Sequence, residues 1–423
     1  MKVAVIGCGG IGKAHALAWK QVRGATLTHV VDRDRQRAEA VAAETGAVVL
    51  TDLSDLPDDV SVVSVTTDPA SHGPLAEQCL RRWHVFCEKP LGMTAAEGQR
   101  LVDVSRETGR ALSVGFKMRY EPIFAQARAL CPEVGDIIQI ATTKTQPFAH
   151  RGAGEWRPRV GAMFELSVHD FDLISFITGL QPWRVVAAQL SRRLGWERED
   201  GFAALVEYGA DSVPSRCSAG FQPAPAGSAA GSGEETGSSA GFQPAPVGSA
   251  AGSEEEMGSS AGFQPAPVGS AAGSGEEMGS SAGFQPAPAG NPEDGDVQAG
   301  WKPALPGDGA PDVALAPCVA PAPEQVVMST LSGCYTRESR WLGADLSLTI
   351  TGERGYLRVL RGDRIILHTD QLHVIEPEAP GNTFVLELQD FADAVAAGEP
   401  PPIPAEAGVA ATALIEAIWE AGQ

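Results

Sequence analysis

The chain has 423 residues and a formal net charge of −21, from 53 acidic and 32 basic side chains. This length is enough for two or three domains, and the negative charge argues against nucleic acid or an anionic membrane as the main partner. The seven cysteines form no C-x-x-C pair, so neither a metal site nor a disulfide framework is predicted. No apolar run approaches about 18 residues, so no membrane span is predicted.

Met1 leads directly into a predicted strand, so we expect no signal peptide and a cytoplasmic protein. A glycine-rich turn, Gly7-Cys-Gly-Gly-Ile-Gly12, follows that strand, precedes a helix and matches G-x-G-x-x-G. In this pattern Gly7 makes the tight turn, Gly9 lets a pyrophosphate approach the backbone, and Gly12 lets the helix pack on the strand. The phosphates would bind at the helix N-terminus. The candidate cofactor-binding residues of the turn are Gly7, Gly9, Gly10, Ile11 and Gly12.

An acidic residue stands at the distance expected for ribose recognition. The second predicted strand, Leu27–Val31, ends in Asp32, which is 20 residues past Gly12. A carboxylate there accepts both ribose hydroxyls and repels a 2′-phosphate, which favours NAD; Arg33 could pair with a 2′-phosphate, so NADP stays open. The alternative is a structural βαβ unit that binds no nucleotide.

Helices and strands continue to alternate up to Val114. This order predicts a doubly wound parallel sheet, and we assign residues 1–119 to a Rossmann domain. The predicted elements are helix 35–45, strands 48–50 and 60–65, loop 66–72, helix 74–82, strand 85–87, a helix to residue 108 capped by Thr94, and strand 111–114.

The strand Val85–Cys87 leads into the tripeptide Glu88-Lys89-Pro90. Open α/β sheets bind ligands at the carboxyl ends of their strands, so Lys89 could contact cofactor and substrate together. The alternative is a surface lysine in a strand-to-helix loop.

The pattern changes after Pro122 to an α+β arrangement. Alternating polar and apolar residues predict an open, mostly antiparallel sheet with one face on helices. We assign residues 120–212 and 324–423 to this substrate and oligomerisation domain. The predicted elements are helix 123–130, strands 136–145, 184–191, 202–208, 326–335, 346–350 and 356–360, and final helices 384–397 and 405–421.

Polar residues at helical spacing interrupt the mainly apolar segment that follows residue 160. Glu165 and His169 are four residues apart and Asp172 follows three later, so all lie near one face of a helix. The neighbouring apolar residues predict a largely buried helix, and buried acids and histidines need partners or a function. The alternative is an ordinary local pair on a solvated face.

A low-complexity insertion separates two predicted strands. Ala-Gly-Phe-Gln-Pro-Ala-Pro recurs with its Phe at 221, 242, 263 and 284, a period of 21 residues. Each unit has a single Phe and no aliphatic stripe, so residues 213–323 are predicted to be disordered. The insertion would replace the tip of a β-hairpin, where length costs little. A duplicated DNA element is one possible origin, and a tethering or partner-recruiting role is an alternative.

The motifs together resemble the Gfo/Idh/MocA family of nicotinamide-dependent oxidoreductases. The likeness covers the chain to about residue 212 and resumes more faintly from about residue 324. It is carried by the glycine-rich turn and by the segments Thr67–His72, Glu88–Pro90, Gly115–Pro122 and Gly161–Asp172.

The resemblance implies roles for individual residues. Lys89 would lie near the nicotinamide and contact the substrate, with a cis bond between Lys89 and Pro90. Glu165 and His169 match the family's acid–histidine signature, although the family more often has Asp at the first position and Gly where Ser167 stands. Further cofactor-binding candidates are Thr67, His72 and Glu88. Substrate-contact candidates are Arg119, Tyr120, Arg157 and Asp172.

The implied reaction is hydride transfer between nicotinamide and a secondary alcohol of a sugar, cyclitol or related polyol. His169 would take the hydroxyl proton, Lys89 would stabilise alkoxide charge, and Glu165 would bind substrate or orient His169. The open sheet face predicts a homo-oligomer, a dimer or tetramer. A non-catalytic NAD-binding regulator and an NAD-dependent glycoside hydrolase remain alternatives.

Overall fold

The computed structural model describes residues 1–147, 157–210, 313–314, 325–336, 345–379 and 381–423. The insertion predicted at 213–323 lies outside the described residues except for Val313 and Ala314, so its predicted disorder stays a prediction. Those two residues form a short strand at the edge of the second sheet.

The N-terminal half forms a parallel sheet with helices between its strands, as predicted. The described sheet has the order β3-β2-β1-β4-β5-β6, so the strand order reverses between β1 and β4. Ligands bind at such a reversal in doubly wound folds. The strands are β1 (Lys2–Ile6), β2 (Thr26–Val31), β3 (Val48–Leu50), β4 (Val62–Val65), β5 (His84–Cys87) and β6 (Leu112–Val114); the helices are α1 (Gly10–Trp19), α2 (Arg35–Thr45), α3 (Pro69–Leu80) and α4 (Ala95–Thr108).

Burial and capping explain these elements. Every residue of β4 is buried, as expected for a central parallel strand covered on both faces. Asp34 caps α2 by accepting hydrogen bonds from two backbone N–H groups of the first turn. Thr94 caps α4 through the N–H of Glu97, whose carboxylate returns to the N–H of Met93 rather than to that of Thr94.

The predicted loop 66–72 is partly wrong. Helix α3 already begins at Pro69, because the Asp68 side chain accepts a hydrogen bond from the N–H of Ala70 and Pro69 suits the first helical position. His72 is therefore a helical residue and is buried. The sequence reading placed the helix start at Pro74, which instead lies inside the helix.

The second half forms a mixed, mostly antiparallel sheet. Its described strands have the order β10-β8-β9-β11-β7-β12-β13-β14-β15, and β11 pairs with β7 in parallel. The strands are β7 (Ile137–Pro147), β8 (Gln181–Ser191), β9 (Gly201–Gly209), β10 (Val313–Ala314), β11 (Val326–Thr336), β12 (Asp345–Gly352), β13 (Gly355–Leu360), β14 (Arg364–His368) and β15 (Leu372–Ile375). The helices are α5 (Pro122–Leu130), α6 (Arg157–Val160), α7 (Val168–Thr178), α8 (Thr383–Ala397) and α9 (Ala405–Ala421).

Two features of this part of the chain differ from the sequence prediction. Strands β14 and β15 were not predicted. The helix expected to carry both Glu165 and His169 is a π-helical turn, Met163–Ser167, that continues directly into α7. The insertion site agrees with expectation: β9 and β11 pair antiparallel, with Gly209 opposite Val326.

The two final helices return to the Rossmann half. Helix α8 packs against α1, and α9 packs against α4, α7 and β8. One continuous hydrophobic core joins residues of the first sheet to residues of α7 and α9. The domain boundaries assigned from the sequence therefore stay predictions. Within the described ranges, no helix combines the length and the apolar character needed to span a bilayer.

Candidate functional site

A cleft of about 1060 Å³ opens at the carboxyl ends of β1, β2, β4 and β5. Its walls include the glycine-rich turn, the segment after β5, the π-helical turn and part of β7. Such a cleft is large enough for a dinucleotide and a small substrate. Lys89, Glu165 and His169, which sequence motifs singled out, therefore meet in this cleft, although they come from different parts of the chain.

The glycine-rich turn needs its glycines for two different reasons. Gly7 has φ +95°, and a Cβ on Gly12 would lie 1.7 Å from the carbonyl oxygen of Gly7, so neither position tolerates a side chain. A Cβ on Gly9 or Gly10 would meet no protein atom within 4 Å. Both line the cleft, and α1 begins at Gly10, so its first N–H groups face an open cradle suited to phosphates.

Asp32 is held rigidly at the end of β2. One carboxylate oxygen accepts the N–H of Cys8 at 2.7 Å and the other accepts the N–H of Asp34 at 2.8 Å. Both Asp32 and Arg33 line the cleft, and Arg33 is exposed. Ile11, 45% exposed, lines the same end. The cradle and the fixed carboxylate thus fit the adenosine and pyrophosphate parts of NAD.

His72 supports the loops around the cleft. Its ring is buried and lies between two backbone carbonyl oxygens, those of Pro90 at 2.8 Å and Thr67 at 3.1 Å. Burial lowers the pKa of His72. Thr67 is tied down by a 2.7 Å hydrogen bond between its hydroxyl and that of Ser71. Both residues line the cleft, but His72 acts mainly by joining the two loops.

Glu88 lines the cleft and is largely buried against α1. Its carboxylate is 3.0 Å from Nε2 of His15, and it accepts the N–H of Lys89 at 3.1 Å. Burial alone would raise the pKa of Glu88, but the hydrogen bond from His15 and the cations Lys89 and Lys117 outweigh burial, so this pKa is lowered. The bond between Lys89 and Pro90 is cis, as expected.

Glu387 of α8 completes a buried cluster with His15 and Glu88. One ligand atom from each residue lies within 4.8 Å of the others, a spacing that could hold a metal ion. Burial and the neighbouring Glu88 raise the pKa of Glu387 well above its usual range. Burial and Glu88 thus favour the protonated form of Glu387, which is a poor metal ligand, so we assign no metal here.

Lys89 and Glu165 meet across the cleft. The Lys89 ammonium donates to the backbone oxygen of Glu165 at 3.0 Å and lies 3.4 Å from its carboxylate. The other carboxylate oxygen accepts a hydrogen bond from Nε of Arg157 at 3.2 Å. Side-chain exposure is 17% for Lys89 and 8% for Glu165, so this ion pair is well screened from solvent. The surface-loop alternative for Lys89 is therefore wrong.

His169 lines the same end of the cleft. It lies edge-on to Phe116, with ring centroids 5.9 Å apart, and its Nδ1 has no hydrogen-bond partner among the described residues. Burial, and then the positive charges of Lys89 and Lys144, hold the pKa of His169 well below its usual value. The imidazole is thus neutral near pH 7 and able to accept a proton.

Three cationic residues at the substrate end of the cleft were not among the candidates from the sequence. Lys144 on β7 is buried; its ammonium donates to Asp170 at 2.9 Å and to the backbone oxygen of Leu166 at 2.5 Å. Arg361 donates two hydrogen bonds to Glu121, and Lys117 lies 4.0 Å from the ring centre of Phe384. Lys117 lies within the segment Gly115–Pro122 that carries the family likeness. No contiguous motif marks Lys144 or Arg361, which the strand order of the second sheet brings to the cleft.

Three of the four substrate-contact candidates do not line the cleft. Arg119 and Asp172 form a buried ion pair with each other, with N–O distances of 2.9 and 2.5 Å, beside a different cavity. Tyr120 donates its hydroxyl to Asp390 at 2.8 Å. Their short polar contacts within the protein explain why sequence adjacency to a motif was misleading. Arg157 does line the cleft.

Comparison with known proteins confirms the family resemblance. Residues 1–116 match the family described as "Oxidoreductase family, NAD-binding Rossmann fold", which agrees with NAD as the expected cofactor. The chain is 31% identical over 192 residues to an inositol 2-dehydrogenase of Rhizobium meliloti (44% of this chain, 58% of the relative). It is 34% identical over 208 residues to inositol 2-dehydrogenase 2 of Saccharopolyspora erythraea (47% and 60%). The chain thus spans less than two thirds of these relatives' length.

A solved structure has the same fold as the described part of the chain. The UDP-N-acetylglucosamine 3-dehydrogenase of Acidithiobacillus ferrooxidans superposes with a TM-score of 0.64 at 17% identity, covering 100% of this chain and 97% of the other. At this identity the likeness concerns the fold, with its parallel sheet followed by a mixed, mostly antiparallel sheet.

Proposed function

We propose that this chain, whose residues 1–116 match the NAD-binding Rossmann model of the Gfo/Idh/MocA oxidoreductase family, transfers hydride between nicotinamide and a secondary alcohol of a sugar, cyclitol or related polyol. The observation that carries the proposal is that Lys89, Glu165 and His169 line the same cleft as the glycine-rich cradle and Asp32. A binding-only regulator would need the cradle but not a neutral imidazole beside a fixed ammonium.

His169 is the proposed general base for alcohol oxidation. Its lowered pKa keeps the imidazole unprotonated near neutral pH, so it can take the hydroxyl proton. When bound, nicotinamide supplies the acceptor for the hydride that leaves the carbinol carbon. The C–H pair of electrons thus leaves with the hydride and the O–H proton goes to His169, which balances conversion of alcohol to carbonyl.

Lys89 is proposed to stabilise the negative charge that develops on the substrate oxygen. Its ammonium is fixed by two acceptors of Glu165, so little reorganisation is needed when the charge forms. Glu165 positions Lys89 and Arg157. The contacts of Glu165 with both residues support this positioning role, and orientation of His169 by Glu165, another role expected from the sequence, stays a prediction.

The first test is cofactor binding by differential scanning fluorimetry with NAD and NADP in separate samples. We expect stabilisation by NAD, because Asp32 is fixed where a 2′-phosphate would be repelled. A larger shift with NADP would overturn the cofactor preference. Absence of any shift would overturn the proposed function itself.

The second test is NADH formation with a panel of polyols, sugars and inositols. Lys89→Met should lower kcat by at least about 100-fold, since removing one preorganised charge-stabilising donor typically costs that much. Lys20→Met, which alters an exposed lysine, is the matched control and should behave as wild type. Turnover of Lys89→Met within a few-fold of wild type would refute the assignment. Release of a sugar aglycone without net NADH would favour the hydrolase alternative.

A further inference from the structure

The substrate end of the cleft is unusually basic for a chain with a net charge of −21. Four cationic side chains line it in addition to Arg157, and we call these four the basic wall: Lys89, Lys117, Lys144 and Arg361. Among the described residues from position 88 onwards, the acids that line the cleft are Glu88 and Glu165. Both acids are already bound, Glu88 to His15 and Glu165 to Lys89.

The acids that hold Lys144 and Arg361 lie behind the wall. Asp170 accepts from Lys144 and Glu121 accepts from Arg361, but neither acid lines the cleft. The wall therefore presents cations to a ligand, while the compensating carboxylates are shielded by protein. Such an arrangement fixes the cations in place without cancelling their field inside the cleft.

Both residues also retain hydrogen-bond donors. An ammonium has three N–H donors, and the described contacts of Lys144 use two, to Leu166 and Asp170. A guanidinium has five, and the described contacts of Arg361 use two, both to Glu121. Each cation is thus oriented by its protein partner and can still bind an anionic oxygen.

The basic wall acts on His169 as well. After burial, the second and third causes that lower the pKa of His169 are Lys89 and Lys144, and Lys117 and Arg361 add to them. The reacting end of the cleft is therefore at positive potential. A neutral polyol has no charge with which to use this potential, whereas a carboxylate or phosphate would be attracted by it.

We propose that the substrate is anionic: a hydroxyl-bearing sugar acid or sugar phosphate whose carboxylate or phosphate binds Lys144 and Arg361 while its hydroxyl lies between Lys89 and His169. This inference rests on the proposed function, because it assigns the substrate class of the same site. Carboxylate and phosphate share the chemistry that the basic wall recognises, and the experiment distinguishes them.

The experiment compares matched ligands on the full-length protein loaded with NAD. Glucose is compared with glucuronate and glucose 6-phosphate, and myo-inositol with its 1-phosphate, for both binding by calorimetry and NADH formation. An anionic member of at least one set should bind and be oxidised at least about tenfold more efficiently than its neutral parent, as expected for one charge-assisted hydrogen bond. Its KM should also rise with salt.

Arg361→Gln and Arg364→Gln form a matched pair of variants. Arg364 is exposed on β14, where it pairs with Asp363, and it does not line the cleft. Arg361→Gln should raise the KM of the anionic ligand at least about tenfold more than that of its neutral parent, whereas Arg364→Gln should change neither KM.

The outcomes separate this inference from the proposed function. Equal or better use of neutral parents, with no effect of salt or of Arg361→Gln, would overturn the anionic substrate while leaving the dehydrogenase intact. No NADH from any ligand would count against the dehydrogenase, yet the binding comparison would still decide whether anions are preferred. Because wild-type binding and salt dependence need no variant, poor folding of Arg361→Gln would not remove the test.

Discussion

Alanine at Gly9 should weaken NAD binding without destabilising the free protein. Gly9 has φ −70° and ψ −169°, which alanine adopts without strain, and a Cβ there would meet no protein atom within 4 Å. Gly→Ala at such a position leaves stability unchanged or raises it by up to about 1 kcal/mol, by restricting the unfolded chain. The added methyl group would instead occupy the space through which a pyrophosphate approaches the turn.

Gly12→Ala should have the opposite effect on the free protein. Its Cβ would lie 1.7 Å from the carbonyl oxygen of Gly7 and 2.8 Å from the hydroxyl oxygen of Thr66, so the backbone must move. Overpacking of this kind costs about 1–3 kcal/mol or more. At roughly 2–4 °C per kcal/mol for a domain of 150–250 residues, the melting temperature should fall by at least about 2 °C.

Both variants are measured by thermal unfolding without cofactor and by NAD titration. Gly9→Ala should keep the wild-type melting temperature within about 2 °C and bind NAD about 5- to 150-fold more weakly, the equivalent of 1–3 kcal/mol of overpacking against the ligand. Gly381→Ala, at an exposed position where a Cβ also meets nothing within 4 Å, is the control and should change neither quantity. Wild-type NAD affinity in Gly9→Ala would refute the assignment of this turn to the dinucleotide.

Three further predictions concern titration and packing. If His169 is the base, kcat/KM for oxidation should be constant above pH 7 and should fall only at pH values below the usual imidazole pKa of about 6.5, because the pKa of His169 is lowered. A fall in kcat/KM centred above pH 7 would contradict this assignment. Arg119→Met should destabilise the protein by about 3–5 kcal/mol, because it leaves Asp172 buried and unpaired, and it should not change KM. A raised KM in a stable variant would instead support a substrate contact by Arg119. Glu387→Gln should stabilise the protein at pH 8 but not at pH 4. The folded-state pKa of Glu387 is raised above its unfolded value of about 4.3, so the stability of the wild type falls as pH rises from the unfolded pKa to the folded pKa. Equal melting temperatures of variant and wild type across this pH range would show that Glu387 is not abnormally protonated.

The parts of the site that were predictable from sequence are those set by short-range geometry. The turn from Gly7 to Gly12 and the carboxylate of Asp32 belong to one βαβ unit, whose strand, turn and helix fix their relative positions within about 30 residues. Lys89 is likewise tied to the end of a strand in the same sheet. In each case the residue type and its place at the carboxyl edge follow from local pattern, so the cleft could be located before the fold was known.

The parts that failed depend on helix starts and tertiary partners. Asp68 caps α3 before a proline, which moved His72 from an expected loop into a buried helix. Arg119 and Asp172 carry the right chemistry for substrate contact, but each is the nearest available partner of the other. Whether two charges pair with each other or face a ligand is decided by packing between distant segments, and sequence spacing contains no record of it.

The presence of Lys144 and Arg361 in the cleft could not be predicted from the sequence for the same reason. They are 217 positions apart in the numbering, on β7 and in the turn after β13, and reach one wall because β12 lies between these two strands in the sheet. The proposed hydride chemistry, by contrast, depends on Lys89 from the Rossmann edge and on His169 at the start of α7. Lys144 joins the two sets of residues, because its ammonium is bonded to Leu166 and Asp170, on either side of His169 in the chain. On the proposed function, the side chains that select substrate charge come from β7 and from the turn after β13, so they are not marked by the motifs that carry the hydride chemistry.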